Sequence, residues 1–285
     1  MTRTLVVGIL AGIALFAAGC AGSTVSTPPA SAGASEPVGP AASESGHEGV
    51  DLTIFAASSL AGVLDKARAA YDAAHPGTTL TISTDSSSAL ETQIEQGAPA
   101  DVFLAADTTN PKKLVDGGFA AGDAVAFAGN KLTIVVPTDN PADIATPADL
   151  AKAGVKIVAA GDDVPITRYA KRLVANLAKQ PGYPADFEAD YTSNVVSKED
   201  NVKAIIGKLD LGEGDAAIVY ATDALASTLV RTIDVPDSAN VPAQYAGVVV
   251  KTSAHQEPAR TFLGWLRSPD GQSVLASFGF LPPSQ

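Results

Sequence analysis

The sequence predicts an α/β protein built of two lobes. From about residue 51 onward, short apolar segments typical of β-strands alternate with segments of helical periodicity. This alternation favours parallel-type sheets flanked by helices, with right-handed crossover connections. The stretch from 50 to 285 is long for a single hydrophobic core, so we expect the chain to divide into two lobes.

The first lobe is predicted to span residues 50–129. It opens with a β-α-β-α-β pattern, which indicates neighbouring parallel strands. The predicted strands are 51–56, 79–83 and 101–105, and the predicted helices are 60–74 and about 88–96.

The second lobe is predicted to span residues 130–251, including the strands that act as hinges. The expected crossings between the lobes lie near Gly129-Asn130 and within 241–254. Its predicted strands are 131–137, 155–159, 215–220 and 245–251, and its predicted helices are 166–180 and 202–211. Two amphipathic helices, about 258–267 and 270–278, end the chain with Gly279 as a C′ glycine, and residues from about 252 to 285 should complete the first lobe.

The first 19 residues have the pattern of a signal peptide. Arg3 precedes an apolar run from 5 to 18 that is too short to span a bilayer as a helix. Small residues then lead to Cys20, the single cysteine of the chain, so an internal disulfide is ruled out. This placement resembles the lipobox of bacterial lipoproteins, although Ala17 stands where a large aliphatic residue is usual. We expect lipidation of Cys20; an ordinary signal peptide that ends near a cysteine is the alternative.

Residues 20–49 are predicted to form a disordered tether after the lipidated cysteine. The segment consists mainly of Ala, Ser, Gly, Pro and Thr and contains no Leu, Ile or aromatic residue. Such a composition buries too little apolar surface to offset the entropy cost of ordering. The tether would hold the folded part away from a membrane surface.

The charge balance excludes some classes of partner. The formal net charge is −12 at pH 7, with 19 basic and 31 acidic residues. Nucleic-acid binding needs clusters of Lys and Arg against phosphates, and the sequence has none. An anion site would therefore need local positive character that does not come from basic side chains.

Catalytic motifs are also absent from the sequence. There is no G-x-S-x-G elbow, no P-loop and no G-x-G-x-x-G after a strand. His75 and His255 lack partners at metal-ligand spacing, and we expect them to be isolated surface histidines. Catalysis by a Ser/His/Asp triad or by a resident metal is therefore poorly supported.

Hydroxyl residues and helix-capping residues follow several predicted strands. Ser58 and Ser59 lead into the first helix, and 85–88 lead into the second, where Ser88 is expected to cap and Glu91 to reach back. That arrangement would leave Ser87 free to face a ligand. Two later helices are expected to begin near 164–167, with a proline in the first turn, and after a cap at 200 or 201. Helix N-termini that meet at the carboxyl ends of strands can bind an anion with neutral donors.

Six segments resemble the molybdate-binding proteins of ABC importers, in order and with compatible spacing. They are FAASSL (55–60), SSSAL (86–90), GAPADVFLAAD (97–107), GDDVPITRYAKRL (161–173), EDNVKA (199–204) and DAAIVYATDA (215–224). The resemblance covers residue 51 to the end. It implies the type II periplasmic-binding-protein fold, in which a ligand is held in the cleft between two lobes that close by a hinge.

The resemblance also implies the ligand contacts. The hydroxyl and amide groups of Ser59 and Ser87, the amides of Ile166 and Val202, and the phenol of Tyr220 would hold the oxyanion. Ser58 would be an additional contact. Ile166 and Thr167 stand where the family usually has small residues, and their larger side chains would narrow the pocket or move the start of the helix. We place Asp85 and Asp200 facing outward, which leaves a site made of donors alone.

The implied function is capture of molybdate or tungstate and its delivery to the permease of an ABC transporter. Such a protein is not an enzyme, has no cofactor, contains molybdenum only as the bound oxyanion and is expected to be monomeric. It would lie outside the cytoplasm, lipid-anchored to the outer face of the cell membrane. Sulfate or thiosulfate binding on the same fold is the nearest alternative.

Two alternatives come from other functional classes. A serine hydrolase that uses Ser58 or Ser59 would need a base within hydrogen-bond reach, and no histidine falls at a strand-to-helix junction. A lectin-like surface protein would need aromatic side chains at its cleft. Trp265, the single tryptophan, falls in a C-terminal amphipathic helix, where core packing is expected.

Overall fold

A computed structural model describes residues 49–284 of the chain. The predicted signal peptide, the lipidated Cys20 and nearly all of the predicted tether lie outside the described residues. Within them, no helix is both long enough and apolar enough to cross a membrane.

Strands and helices alternate along the folded part, as the sequence predicts. The strands are β1 (Val50–Ala57), β2 (Thr78–Asp85), β3 (Val102–Ala105), β4 (Val125–Asn130), β5 (Leu132–Pro137), β6 (Ile157–Ala160), β7 (Val195–Glu199), β8 (Ala217–Tyr220), β9 (Val230–Ile233) and β10 (Ala243–Val249). The helices are α1 (Ala61–Ala74), α2 (Ser87–Glu95), α3 (Thr109–Asp116), α4 (Pro165–Leu177), α5 (Phe187–Ser193), α6 (Val202–Asp210), α7 (Ala221–Ala226), α8 (Gln256–Leu266) and α9 (Pro269–Ser277).

Five strands form the sheet of the first lobe, in the order β2-β1-β3-β10-β4. The pairs β1–β2 and β1–β3 are parallel, whereas β10 is antiparallel to both β3 and β4. We call this sheet and the helices α1, α2, α3, α8 and α9 the first lobe. The predicted second lobe, 130–251, includes residues 243–249, but the hydrogen bonds of these residues put them in the sheet of the first lobe. The second crossing between the lobes therefore lies within 234–242, mostly ahead of the predicted range.

The second lobe contains the sheets β8-β5-β9 and β6-β7, with helices α4 to α7. Strand β5 is antiparallel to β8 and β9, and β6 is parallel to β7. An isolated parallel bridge between Ile157 and Ala216 brings β6 beside β8. The second lobe thus has the order β7-β6-β8-β5-β9, with the same pattern of strand directions as the first lobe. The sheets of both lobes are mixed, so the expectation of parallel-type sheets holds only for three strands of each.

The start of α2 differs from the expected capping. Ser86, not Ser88, is the N-cap, and its Oγ accepts a hydrogen bond from the N–H of Ala89 at 3.2 Å. Glu91 forms an ion pair with a lysine of α3 at 3.2 Å instead of reaching back. Ser87 becomes the first residue of the helix, and its hydroxyl is not used in capping.

The C-terminal helices follow the sequence prediction. Trp265 is buried, and the edge of its ring packs against Tyr71 at a centroid distance of 5.4 Å. Gly279 follows α9 with a φ of 85°, the left-handed conformation of a C′ glycine. The core role expected for Trp265 and the termination role expected for Gly279 are both confirmed.

Six elements were not predicted from the sequence: α3, β4, α5, β7, α7 and β9. None of the six is longer than eight residues. Short segments span few periods, so hydrophobic periodicity alone is a weak guide to them.

Two helical glycines provide a test of the packing between α8 and α9. A Cβ on Gly271 would lie 2.1 Å from the carbonyl oxygen of Trp265, whereas a Cβ on Gly264 would meet no neighbouring atom within 4 Å. We expect Gly271→Ala to lower the free energy of unfolding by about 1–3 kcal/mol through overpacking. The control, Gly264→Ala, should raise it by roughly 0.5–1 kcal/mol because alanine has the better helix propensity. Urea denaturation followed by circular dichroism measures both, and shifts of the same sign would contradict this account.

Candidate functional site

All six residues proposed as oxyanion contacts line one small cavity between the lobes. The cavity has a volume of about 10 Å³, roughly the space that one water molecule needs. We call it the inner cavity. Its lining consists of Ala57, Ser58, Ser59, Asp85, Ser86, Ser87, Ala106, Val164, Pro165, Ile166, Val202 and Tyr220.

The serines after β1 belong to a 3₁₀ turn that leads into α1. The Oγ of Ser59 lies 2.9 Å from the phenol oxygen of Tyr245, which is fully buried at the start of β10. Asn130 donates through Nδ2 to Tyr245 at 3.3 Å and to Thr222 at 2.9 Å. Asn130 ends β4 beside the first crossing between the lobes, so this network ties Ser59 to the hinge. Sequence reasoning missed Tyr245, because nothing near it in the chain indicates a polar role.

Ser87 lies at the junction of β2 and α2 and is 1% exposed. Its Oγ accepts a hydrogen bond from the N–H of Ala106 at 3.0 Å. A hydroxyl that accepts one hydrogen bond can still donate its own proton. Ser87 can therefore donate to a ligand in the inner cavity while Ala106 fixes the position of its oxygen.

Helix α4 supplies the first of two N-termini to the inner cavity. Pro165 is its first residue and Ile166 its second, as the sequence predicts. The hydroxyl of Thr167 donates to the carbonyls of Ala160 and Gly161 at 3.0 and 2.8 Å. Thr167 therefore holds the loop before α4 and does not narrow the inner cavity, contrary to expectation, whereas Ile166 does line it.

Helix α6 supplies the second N-terminus. The side-chain oxygen of Asn201 accepts from the N–H of Ala204 at 3.1 Å, which makes Asn201 the N-cap, one of the two residues expected there. Val202 is the first residue of the helix and lines the inner cavity. The N–H groups of a first helical turn have no carbonyl partner within their own helix and carry partial positive charge.

Tyr220 ends β8 and is 2% exposed. Its phenol donates to the carbonyl oxygen of Ala106 at 3.4 Å, a long hydrogen bond. Burial raises the pKa of Tyr220 well above its ordinary value, and the nearby phenol of Tyr245 raises it further. The hydroxyl of Tyr220 therefore stays protonated throughout the neutral range and remains a donor.

Asp85 does not face outward as expected. It is the one charged residue among the described residues that line the inner cavity. Its Oδ1 accepts from the N–H of Ser86 at 2.7 Å and from Nδ2 of Asn201 at 3.1 Å. Asp200 lies outside the inner cavity, in the wider opening of the same cleft.

A second carboxyl group lies close behind the site. Asp223 is the third residue of α7 and accepts from the N–H of Tyr220 at 3.3 Å. Burial raises the pKa of Asp223 to about 7. The negative charge of Asp223 also raises the pKa values of Tyr220 and Tyr245. The ionisation state of Asp223 therefore changes the electrostatic potential at the inner cavity.

The cleft widens beyond the inner cavity into a space of about 810 Å³, which we call the outer cleft. Its lining includes six acidic residues: Asp85, Glu91, Asp162, Asp163, Glu199 and Asp200. Three basic residues also line it, and in the described part of the chain each pairs with a carboxylate: Lys113 with Glu91, Lys198 with Asp162, and Arg168 with Asp107. The opening is therefore acidic and offers no unpaired cation.

A larger cavity of about 660 Å³ lies within the second lobe, bordered by Ile166, Tyr191 and Val195. Its lining is mainly apolar, and it lacks the converging hydroxyl and helix N-terminal groups of the inner cavity. We therefore take the inner cavity as the candidate site, although it is much smaller.

Metal coordination has no support in the described residues, where no group of three or more His, Cys, Asp or Glu side chains could hold an ion. The two histidines are half-buried and not isolated on the surface as expected. His75 stacks on Tyr71 at a centroid distance of 4.0 Å, and Nδ1 of His255 lies 3.5 Å from Asp101. Neither histidine lines the inner cavity.

Comparison with known sequences gives a consistent result. The family description "bacterial extracellular solute-binding protein" matches residues 52–281. The molybdate-binding protein ModA of Mycobacterium tuberculosis is 31% identical over 251 residues, which cover 88% of this chain and 90% of that protein. YvgL of Bacillus subtilis, a putative ABC transporter substrate-binding lipoprotein, is 30% identical over 233 residues, covering 81% of this chain and 86% of YvgL.

Solved structures confirm the fold. The substrate-binding domain of a putative molybdenum ABC transporter from Clostridium difficile aligns with a TM-score of 0.62 and 26% identity, over 82% of this chain and 100% of that one. The sulfate-binding protein SubI of Mycobacterium tuberculosis aligns with a TM-score of 0.73 and 21% identity, over 82% and 87% of the two chains, and this likeness supports the fold alone. The chain belongs to the bacterial extracellular solute-binding protein family, among its ModA-like members.

Proposed function

We propose that this solute-binding protein captures molybdate or tungstate in the inner cavity and delivers the anion to the permease of an ABC importer. One observation carries the proposal. The first turns of α4 and α6 and the hydroxyls of Ser59, Ser87 and Tyr220 line a single cavity between the lobes. These groups are hydrogen-bond donors that need no basic side chain.

Neutral hydroxyl donors and the partial positive charge of helix N-termini suit a fully ionised oxyanion. Helix N-termini and neutral hydroxyls stabilise a negative charge without a counter-ion, so a strongly acidic protein can still hold an anion. The inner cavity has room for about one water, and a four-oxygen anion is larger. Entry of the anion therefore requires the lobes to part and then close by a hinge.

The relatives support an oxyanion ligand, since ModA and the clostridial protein are named for molybdate or molybdenum. Sulfate is the specific competitor, because SubI shares the fold and sulfate is also a tetrahedral dianion. Sulfate is smaller than molybdate, so the spacing of the donors after closure would decide between them. A hydrolase that uses Ser58 or Ser59 is disfavoured because neither described histidine lines the inner cavity.

We also propose that the mature protein is a monomer anchored through a lipid on Cys20, with residues 21–49 as the tether. The small residues before Cys20 and the apolar run from 5 to 18 support this location. The naming of YvgL as a lipoprotein supports it further. The permease would then meet the protein at the outer face of the cell membrane.

A thermal-shift experiment tests the ligand. A ligand that binds only the native state at 100 times its dissociation constant adds about 2.7 kcal/mol of stability, or roughly 5–10 °C in Tm for a domain of this size. We expect molybdate and tungstate to produce such a shift in differential scanning fluorimetry. A larger shift with sulfate would indicate that the protein is a sulfate-binding protein. A shift with an organic solute alone would show that the ligand is not an oxyanion.

Three substitutions test the contacts: Ser59→Ala, Ser87→Ala and Tyr220→Phe. Each removes one neutral donor and should weaken molybdate binding by about 0.5–1.5 kcal/mol, measured by titration calorimetry. Ser277→Ala, at an exposed position of α9, and Tyr183→Phe in the second lobe are the matched controls and should keep full affinity. Unchanged affinity in the serine variants of the site would remove those hydroxyls from it.

The pKa of Asp223 predicts how the affinity depends on pH. A carboxyl with a pKa of about 7 is largely neutral below that pH, and its ionised form above it repels a dianion beside Tyr220. We therefore expect the affinity for molybdate to decrease as the pH rises from 6 to 8. Asp223→Asn should flatten that decrease, and an Asp223→Asn variant with the wild-type pH profile would show that another group causes it.

A further inference from the structure

We propose that Asp85 is a positioning residue that, through Asn201, holds the N-terminus of α6 over the inner cavity and keeps the cleft closed around the anion. This inference rests on the proposed function of the inner cavity. It assigns a role to a carboxylate that the set of donor contacts does not use.

The contact crosses from one lobe to the other. Asp85 is the last residue of β2 in the first lobe, and Asn201 is the cap of α6 in the second lobe. Nδ2 of Asn201 donates to Oδ1 of Asp85 at 3.1 Å, while Oδ1 of Asn201 accepts from Ala204 at 3.1 Å. An asparagine amide has one acceptor end and one donor end, and here each end is committed. Asp85 thereby fixes the orientation of the cap as well as the distance between the lobes.

The contact also stands at the passage into the site. Asp85, Ser86 and Val164 line both the inner cavity and the outer cleft. Val202, the residue after Asn201, lines the inner cavity. The Asp85–Asn201 pair therefore lies where the two spaces meet, and parting the lobes there separates the pair.

Helix α4 is held in a corresponding way. Arg168 in its first turns forms an ion pair with Asp107, which follows β3 in the first lobe. Asp107 is 3% exposed and also accepts from the N–H and Nδ2 of Asn110, each at 3.0 Å. Both second-lobe helices that present first-turn N–H groups to the inner cavity are therefore tied to carboxylates at the ends of first-lobe strands.

Asp85 also places a negative charge beside the cap of α6. A negative side chain near the start of a helix compensates the partial positive charge of its free N–H groups. The contact therefore favours the closed arrangement, and opening the cleft breaks it.

An exchange of donor and acceptor tests the role of Asp85 in the full chain. Asn201→Asp keeps a good N-cap but replaces the amide donor with a second carboxylate, so the contact becomes repulsive. We expect this variant to bind molybdate about three- to tenfold more weakly, the range of one typical lost hydrogen bond. Its radius of gyration without ligand, measured by small-angle scattering, should increase.

The double variant Asp85→Asn with Asn201→Asp places the donor on the first lobe and the acceptor on the second. It should return both the affinity and the radius of gyration to near the wild-type values, which loss of helix capping alone would not do. Gln93→Glu, which adds one negative charge at an exposed position of α2, is the control for the change in charge made by Asn201→Asp. It should match wild type in both measurements.

Two results would overturn the proposal. One is Asn201→Asp with wild-type affinity and wild-type scattering, and the other is a double variant as weak and as open as Asn201→Asp alone. If the wild-type protein binds neither molybdate nor tungstate, the proposed function fails. The scattering of the unliganded variants then decides by itself whether the contact holds the lobes together.

Discussion

The free N–H groups at the starts of α4 and α6 are the constraint on which the site depends. Each first helical turn carries donors with no partner in its own helix, and these must be satisfied by side chains, water or a ligand. Both helices begin at the carboxyl ends of second-lobe strands, so one anion can accept from their donors and from the first-lobe hydroxyls together only when the lobes approach. Anion binding and closure of the lobes are therefore coupled in this fold.

Hydrogen bonds also link the hinge side of the cleft to the binding site. Asn130, at the end of β4, reaches Thr222 of the second lobe and Tyr245 of the first, and Tyr245 reaches Ser59. Asn130, Thr222 and Tyr245 are buried, so losing one partner would leave a buried polar group unsatisfied. The orientation of the Ser59 hydroxyl is therefore linked to the relative position of the lobes.

Local patterns in the sequence predicted part of this site. The strand-to-helix junctions that hold Ser59, Ser87, Ile166 and Val202 were predictable, because such positions share one edge of a parallel arrangement. The resemblance to molybdate-binding proteins added Tyr220 and assigned all five residues as contacts. The contacts of Tyr245 with Ser59 and of Asp85 with Asn201 could not be predicted, because each pairs residues more than a hundred positions apart. The place of β10 in the first sheet is similar, since an apolar strand carries no local sign of the lobe it joins. The cap of α2 was misassigned because three consecutive serines can each begin a helix.

The paired charges of the outer cleft determine how the protein can capture its solute. Six carboxylate residues face three basic residues there, and every one of those bases is already neutralised by a partner. A cleft of this kind cannot focus an attractive field on an approaching anion, and the acidic surface repels it at long range. Capture then relies on diffusion and on the fit within the closed lobes. Dissolved salt, which screens such repulsion, should speed the encounter where it would slow a binding protein that steers anions with lysines.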